Sequence, residues 1–561
     1  MNASPVPGPA SRGLALFLVS VLGLFLEMAL IRWIGTEVRI FAYLQNTILV
    51  ACVMGLGMGC MTSTRPARLR DTLLPLWVLV TLLGLSPTRR ALGNISQLLS
   101  VFGGPHIWGE APPSEYIFGF LGLALTLILI ALIWSMFVPV GRWLGRLLAE
   151  DPRPIRAYSI NIGGSLIGIW LFVALSATCQ GPVVWMAVIV ALAVPFLHGT
   201  GRDKLIDIAL AGSLVLLTWL AGQKSPALET VWSPYQKLSL HLREPARDAH
   251  GAVISGAAKQ YEVDVNTTSY QGMFDLRPEA VKVEPRRFPP EMAGLSQYDL
   301  PWRLHPSPRK ALIVGAGSGN DAAGALRNGV TDVVAVEIDP VILDFGRRLH
   351  PERPYDHPGV RLVTDDARSY FATCTEKFDV ISFGLLDSHT TTAMTNARLD
   401  HYVYTLESLR RAKDLLADGG VMVLSFEAKK PWIADRMAGA LTQVFGTEPL
   451  SFRIPLTGYG WGGVMFVCGD QKTIQGRLAV DAHLAGTIRE WQAASPVPRT
   501  GEARLATDDW PYIYLERPEI PPLYYILAGL LLALLIGFGR ALGVPGLAIG
   551  RSRANWHFFF L

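Results

Sequence analysis

Residues 311 to 321 read Ala-Leu-Ile-Val-Gly-Ala-Gly-Ser-Gly-Asn-Asp, an apolar run that enters three alternate glycines. Gly315, Gly317 and Gly319 permit a sharp turn and the close approach of a ligand, because no β-carbon stands in the way. The spacing is GxGxG, with Asn320 where a dinucleotide fingerprint has its third glycine. A nucleoside without phosphates suits such a loop better than a dinucleotide. About 20 residues further on, Glu337 and Asp339 close a second apolar run, where a carboxylate can accept hydrogen bonds from both ribose hydroxyls. Asp365 and Asp366 close a third run, at the place an adenine edge would lie, and Asp387 follows a fourth. Asp321, opening the helix after the glycines, is grouped with them as nucleotide-binding. The bland reading of Glu337 is a carboxylate favoured by a helix N-terminus. Its succession with Asp366 at neighbouring strand ends favours the nucleoside site. Asp379 reads as structural, and His389 and His401 as polar loop residues, with direct chemistry by either the lesser reading.

The elements that must position these groups alternate. Strands are expected at 311–314, 333–336, 360–363, 378–383 and 421–426, with helices from Asp321 and over 402–416. Such alternation implies a parallel sheet whose ligand sits at the carboxyl ends of its strands.

The rest of the chain is of another kind. Of 561 residues, 50% are apolar and 17% charged, against roughly 25% charged in an average soluble domain. Apolar runs near the roughly 20 residues needed to cross a bilayer lie at 14–34, 41–61, 115–140, 158–178, 182–198, 205–222 and 523–538, with a weaker one at 73–86. The first has no cleavage site and reads as a retained anchor. The apolar stretch 556–561 reads as a further helix cut short. Glu27, Asn46, Asn161 and Asp207 lie inside these spans, where polar groups face a bundle interior or cavity. Gly55, Gly57 and Gly59, with Gly163, Gly164 and Gly168, offer small faces for helix contact. The expected organisation is a helical domain over 1–222, a β-rich lead-in over 223–305 and an α/β domain over 306–500. A membrane-edge segment with Trp510, Tyr512 and Tyr514 as an aromatic belt follows over 501–520, with a lid over the nucleotide site as its alternative reading, then one or more spans over 521–561. The partner implied by the spans is a lipid bilayer, and the resemblance described below implies a bacterial plasma membrane. Loop arginines place the α/β domain outside, whereas nucleotide chemistry places it in the cytoplasm, and both sides stay open. A net charge of +4 leaves no nucleic-acid footprint. The five cysteines show no metal-ligand spacing, so no metal is expected. Nothing in the sequence excludes a homo-oligomer.

Residues 230–470 resemble the spermidine synthase (polyamine aminopropyltransferase) family, a branch of the class I adenosylmethionine-dependent methyltransferase fold. The resemblance is carried by Ser233-Pro234-Tyr235-Gln236-Lys237, Tyr298, the glycine loop, Val336-Glu337-Ile338-Asp339 and Tyr402 to Tyr404. With its flanking spans the whole chain resembles bacterial membrane proteins that fuse such a domain to transmembrane helices. It shares Gly163-Gly164-Ser165-Leu166-Ile167-Gly168, Leu386-Asp387-Ser388-His389-Thr390 and Thr507-Asp508-Asp509-Trp510-Pro511 with them. The resemblance implies a Rossmann-like fold and a donor of the adenosylmethionine type, carboxylated or decarboxylated. It implies transfer of an aminopropyl or methyl group to an amine, polyamine or lipid-borne acceptor. Asp387 would deprotonate the amine, His389 would replace a missing acid, and Tyr235, Gln236, Tyr298 and Tyr402 would shape the acceptor pocket. Two positions depart from the family: it carries an aspartate where this chain has Ser318, and a second where it has Gly384. A non-catalytic membrane transporter or sensor that binds a polyamine or nucleoside is the alternative.

Overall fold

The computed structural model describes residues 9–38, 41, 45–99, 116–197, 201–223, 227–244, 259–266, 268–386, 399–520 and 522–541. The chain divides into two compact units, Met1–Ser225 with Ile520–Leu561, and Pro226–Glu519.

The first unit is helical among its described residues. Arg12–Glu37, Ile117–Glu150, Pro154–Ala177, Arg202–Gln223 and Pro522–Ala541 are long and apolar enough to cross a membrane. Among the described residues, the expected spans over 41–61 and 182–198 hold shorter apolar helices, Asn46–Met61 and Pro182–Phe196. The weak candidate at 73–86 is the helix pair Arg70–Gly84 and Ser86–Gly93, bent by 87°. The expected span 115–140 continues as one helix to Glu150 and contains Pro139. Small faces are used selectively. A β-carbon on Gly55 would stand 2.6 Å from the Trp134 carbonyl and one on Gly59 2.3 Å from that of Val138, whereas Gly57 faces open space. Polar groups inside the bundle find one another: Ser20 donates to Asn161 at 2.9 Å, and Arg70 meets Asp207 at 3.2 Å.

The second unit begins with an antiparallel meander, β1 (Glu229–Trp232), β2 (Lys237–Leu242), β3 (Tyr261–Val265) and β4 (Thr268–Met273). Its alternate residues Leu238, Leu240, Val263 and Val265 turn inward onto Ile342 and Phe345, the period-2 pattern of a sheet with one buried face. A seven-stranded sheet follows: β5 (Lys310–Val314), β6 (Asp332–Glu337), β7 (Val360–Thr364), β8 (Phe378–Phe383), β9 (Leu416–Phe426), β10 (Leu450–Ile454) and β11 (Gly463–Gly469). Its order is β10-β11-β9-β8-β5-β6-β7. The five strands from β5 to β9 run parallel, and β11 and β10 are antiparallel additions at one edge. β5 and β6 are buried along nearly their whole length, as strands covered on both faces must be. This is the Rossmann-like, methyltransferase-type α/β fold, a mainly parallel sheet behind a β-rich lead-in. Strand order reverses between β5 and β8, and a ligand crevice belongs at their carboxyl ends.

Two local expectations are corrected. The helix expected over 402–416 is two helices, Leu399–Tyr402 and Leu406–Asp414. They are separated at Thr405, whose side chain caps the second by accepting from the Ser408 N–H. The aromatic belt is also absent from 510–514: Trp510 and Tyr514 are buried in the α/β unit. The Arg436 and Arg504 guanidinium carbons stand 5.0 and 4.7 Å from the Trp510 ring centre. Arg436, itself buried, donates to the carbonyls of Arg504, Ile513 and Leu515.

Candidate active site

The glycine loop leaves β5 with positive φ at Gly315 (70°), Gly317 (56°) and Gly319 (110°). These are left-handed conformations that disfavour residues with a β-carbon. The N–H groups of Gly315 and Ala316 both donate to the Val336 carbonyl at 2.9 Å, which ties the loop to the end of β6. There Glu337 accepts from the Gly317 N–H at 2.9 Å and from the Asp339 N–H at 3.0 Å. Burial pushes its carboxyl up to about 7 against the opposing pull of those N–H groups. The carboxylate's remaining lone-pair position is open to a ribose hydroxyl. Tyr355 supports the loop from behind, donating its hydroxyl toward the Gly317 carbonyl at 2.7 Å.

The loop does not present a bare surface, which corrects the expectation of open approach. A β-carbon on Gly315 would lie 1.4 Å from a Leu386 methyl, and one on Gly317 2.6 Å from the Gln271 Oε1. The protein's own side chains make the approaches that the missing β-carbons allow. Gln271, on β4, accepts from the Ser318 N–H at 3.2 Å. Between these groups lies a cleft of about 40 Å³, lined by Tyr270, Gln271, Gln297, Tyr298, Asp321 and Trp461 together with the loop, Asn320 and Leu385. That volume suits water rather than a nucleoside, since small-molecule sites run to hundreds of cubic ångströms. Leu386 and Gln271 must withdraw for an adenosine to seat on the loop.

The other expected residues fall around this cleft. Tyr298 lines it, and burial holds its hydroxyl well above the usual phenol range. Asp321 lines it as well, with its carboxyl pushed up to about 7 by burial. Asp365 and Asp366 do not line the cleft. Asp365 accepts from the Asp366 N–H at 2.8 Å, and one Asp366 oxygen caps the next helix by accepting from the Arg368 and Ser369 N–H groups. Tyr235 and Gln236 do not line the cleft. Tyr235 is half exposed, and its hydroxyl is held up by burial and by the charges of Asp339, Asp366, Asp365 and Glu337. The Gln236 carboxamide reaches Asp339 at 3.4 Å, beside the Ser233 hydroxyl at 2.6 Å. This segment therefore fastens the meander to the end of β6. Tyr402 is also outside the cleft and offers its carbonyl to Arg368 at 3.2 Å. Asp379 is structural, accepting from the Arg309 and Lys310 N–H groups. His401, expected in a polar loop, is buried with its ring centre 5.5 Å from that of Tyr514. Asp387 and His389 lie outside the described residues.

Sequence reasoning did not single out Gln271, Gln297, Trp461 or Leu385, and Leu386 entered only as the first residue of a shared segment. Only the leucines carried a signal, two apolar residues placed just past a strand end and just before Asp387.

A sequence model of the spermine/spermidine synthase domain matches residues 298–474. Polyamine aminopropyltransferase 2 of Hyperthermus butylicus is 31% identical over 217 residues, 35% of this chain and 68% of its own. The polyamine aminopropyltransferase of Korarchaeum cryptofilum is 30% identical over 124 residues, 22% of this chain and 36% of its own. That of Nitrosomonas europaea is 30% identical over 174 residues, 30% of this chain and 51% of its own. The chain thus spans about half or less of the length of the latter two relatives.

Proposed function

The chain belongs to the spermine/spermidine synthase family, and we propose on that footing that its α/β unit is a transferase moving an aminopropyl group from a decarboxylated adenosylmethionine to an amine. The observation that carries the choice of donor is the make-up of the cleft. Its described lining holds aromatic rings, carboxamides and the Asp321 carboxyl, and no lysine, arginine or histidine. A methyl donor brings an α-carboxylate into such a site, and a buried anion without a cationic partner is costly. A decarboxylated donor brings only positive charge.

The donor's sulfonium supplies a leaving group that departs as a neutral thioether. The protein's part is binding, alignment and one proton. Glu337 takes a ribose hydroxyl, and Asp366 takes the adenine edge with the oxygen its helix cap leaves over. The glycine loop lets the nucleoside lie against backbone. Asp387 accepts a proton from the attacking ammonium, which frees the nitrogen lone pair. The nitrogen bonds to the carbon as the carbon–sulfur bond breaks, and alignment of the two supplies most of the acceleration. His389, following Asp387, receives part of the acceptor, with Tyr298 and the outer Tyr235 shaping its path.

The helical unit is a multi-pass anchor in a bacterial plasma membrane, supported by five helices of spanning length and apolarity. Impermeant labelling of cysteines placed at Gly251, in intact cells and in lysate, reads both insertion and side. Titration calorimetry tests the donor. Decarboxylated adenosylmethionine binding more tightly than adenosylmethionine is expected, and the reverse order would replace aminopropyl transfer with methyl transfer. Aminopropylated product that disappears in Asp387→Asn separates an enzyme from a non-catalytic polyamine sensor or transporter.

A further inference from the structure

The acidic groups around the cleft are mostly committed to the fold. Both Glu337 oxygens accept backbone N–H groups. Asp339 is held by Ser233 and the Val341 N–H. Asp299 is held by Ser296, Arg327 and Asn328. Asp321 differs from all of these. It is 9% exposed, lines the cleft, makes no ion pair among the described residues, and is met by its own backbone N–H. The nearby Arg327 is engaged with Asp299 and Glu352.

The end of β8 beside it explains how this carboxyl finds room. Gly384 follows β8, and its N–H donates to the Val314 carbonyl at 3.1 Å. A β-carbon there would lie 3.4 Å from Asp321 Oδ2 and 3.1 Å from the Gly315 carbonyl. Any longer side chain at 384 would compete with the Asp321 carboxyl for one space. That space lies where strand order reverses, among the rings of Tyr298 and Trp461. Nearby, the Gln271 Nε2 is buried without a partner, a second polar group in the cleft wall that the fold does not use. Ser318, on the loop itself, is fully buried, and as a neutral hydroxyl it brings no charge to this place.

We propose that Asp321, given room by the absence of a side chain at Gly384, is the anionic partner of a primary alkylammonium group on a substrate. This rests on the aminopropyltransferase reading and deepens it. The ammonium is the terminal amine of the nucleoside donor or the resting end of the acceptor diamine, and the two sources separate by experiment.

The test uses the full chain in detergent micelles, with decarboxylated adenosylmethionine, methylthioadenosine and a diamine as probes. Asp321→Asn is expected to weaken binding of the decarboxylated donor roughly tenfold or more, the scale of a lost charged hydrogen bond, while methylthioadenosine, which has no ammonium, changes less than about twofold. If the donor is unaffected and only the diamine KM rises by that factor, the partner is the acceptor's ammonium and the proposal still holds. An equal loss for methylthioadenosine and the donor, without a selective effect on the diamine, overturns it, because Asp321 then only shapes the cleft. The double variant Asp321→Gly with Gly384→Asp empties the shared space and returns a carboxylate to it, and is compared with Asp321→Gly alone. Recovery of the lost affinity supports the shared space, and a double variant no better than the single one overturns it. Wild-type protein that binds neither nucleoside overturns the transferase reading itself, an outcome distinct from all the others.

Discussion

The Leu386 side chain fills the space that a β-carbon on Gly315 would occupy, with one methyl 1.4 Å from that position. Gly315 and Leu386 are thus complementary, and the residue that opens the loop to a ligand also admits the side chain that covers it. Half-buried Leu386 must be displaced by an adenosine, and re-exposing part of a leucine costs about 1 kcal/mol. Leu386→Ala is therefore expected to tighten methylthioadenosine binding about fivefold. Gly315→Ala, by contrast, adds a clash at a φ of 70° and should abolish binding and lower the Tm. Calorimetry and thermal melts of the two variants check this, and weaker binding by Leu386→Ala would show that the leucine contacts the ligand instead of excluding it.

Glu337 organises the loop before it meets any ligand. In Glu337→Gln one of the two oxygens that accept from Gly317 and Asp339 becomes an amide nitrogen facing an N–H. A buried donor without an acceptor costs about 1–3 kcal/mol. The variant should unfold at lower denaturant by that amount and lose nucleoside affinity more than tenfold. Unchanged stability with lost affinity would mean the loop is held by Val336 and Tyr355 alone.

The α/β core was legible because its signals are local. Gly315 to Gly319, Glu337 and Asp366 each sit at the end of an apolar run, and β8 occupies the expected residues, Phe378–Phe383. The break at Thr405 had a signal that periodicity obscured, a cap-forming threonine just before Leu406. What could not be read was contact between distant segments. Gln271 reaches the glycine loop from a different sheet, 47 residues away from Ser318. The 501–519 segment looks like a membrane edge because Trp510, Tyr512 and Tyr514 are interfacial residue types. Only the fold reveals Arg436, 68 to 79 residues away in sequence from the carbonyls it binds. Likewise, residue types alone could not say that Tyr235 and Gln236 fasten a sheet rather than line a pocket.

The two raised carboxyls set a pH dependence. Asp321 and Glu337 each move up to about 7 from 3.8 and 4.5, burial being the largest cause. Asp321 faces Asp299, which adds to the rise, and Arg327, which opposes it. Glu337 faces Asp339 and Tyr355. A carboxyl whose pKa rises on folding holds its proton more tightly when folded, so the unliganded protein loses stability as pH rises from about 4 through 7. A cation binds the ionised form of Asp321, so affinity for the decarboxylated donor should climb between pH 5.5 and 7.5, by up to about tenfold per unit, and then level. Asp321→Asn should flatten that climb more for the donor than for methylthioadenosine. A pH-independent affinity in the wild type would rule out titration of either carboxyl on binding.

Arg436 anchors the segment that joins the α/β unit to the last helix. Its guanidinium is buried, donates to the carbonyls of Arg504, Ile513 and Leu515, and faces the Trp510 ring. Burial lowers its pKa to about 10, still above neutral pH, so the group stays charged where the carbonyls need it. Arg436→Met keeps the volume and removes the donors, leaving three buried carbonyls to find water, at roughly 1–3 kcal/mol for each one left unsatisfied. The 501–519 segment should then detach before the sheet unfolds, appearing as new protease cleavage near Thr500 with nucleoside affinity retained. Arg368→Ala, which breaks the partly exposed pair with Asp508, should cost less than about 1 kcal/mol and leave the cleavage pattern unchanged. Equal protection of the segment in Arg436→Met and wild type would show that Trp510 and Tyr514 hold it by apolar burial alone.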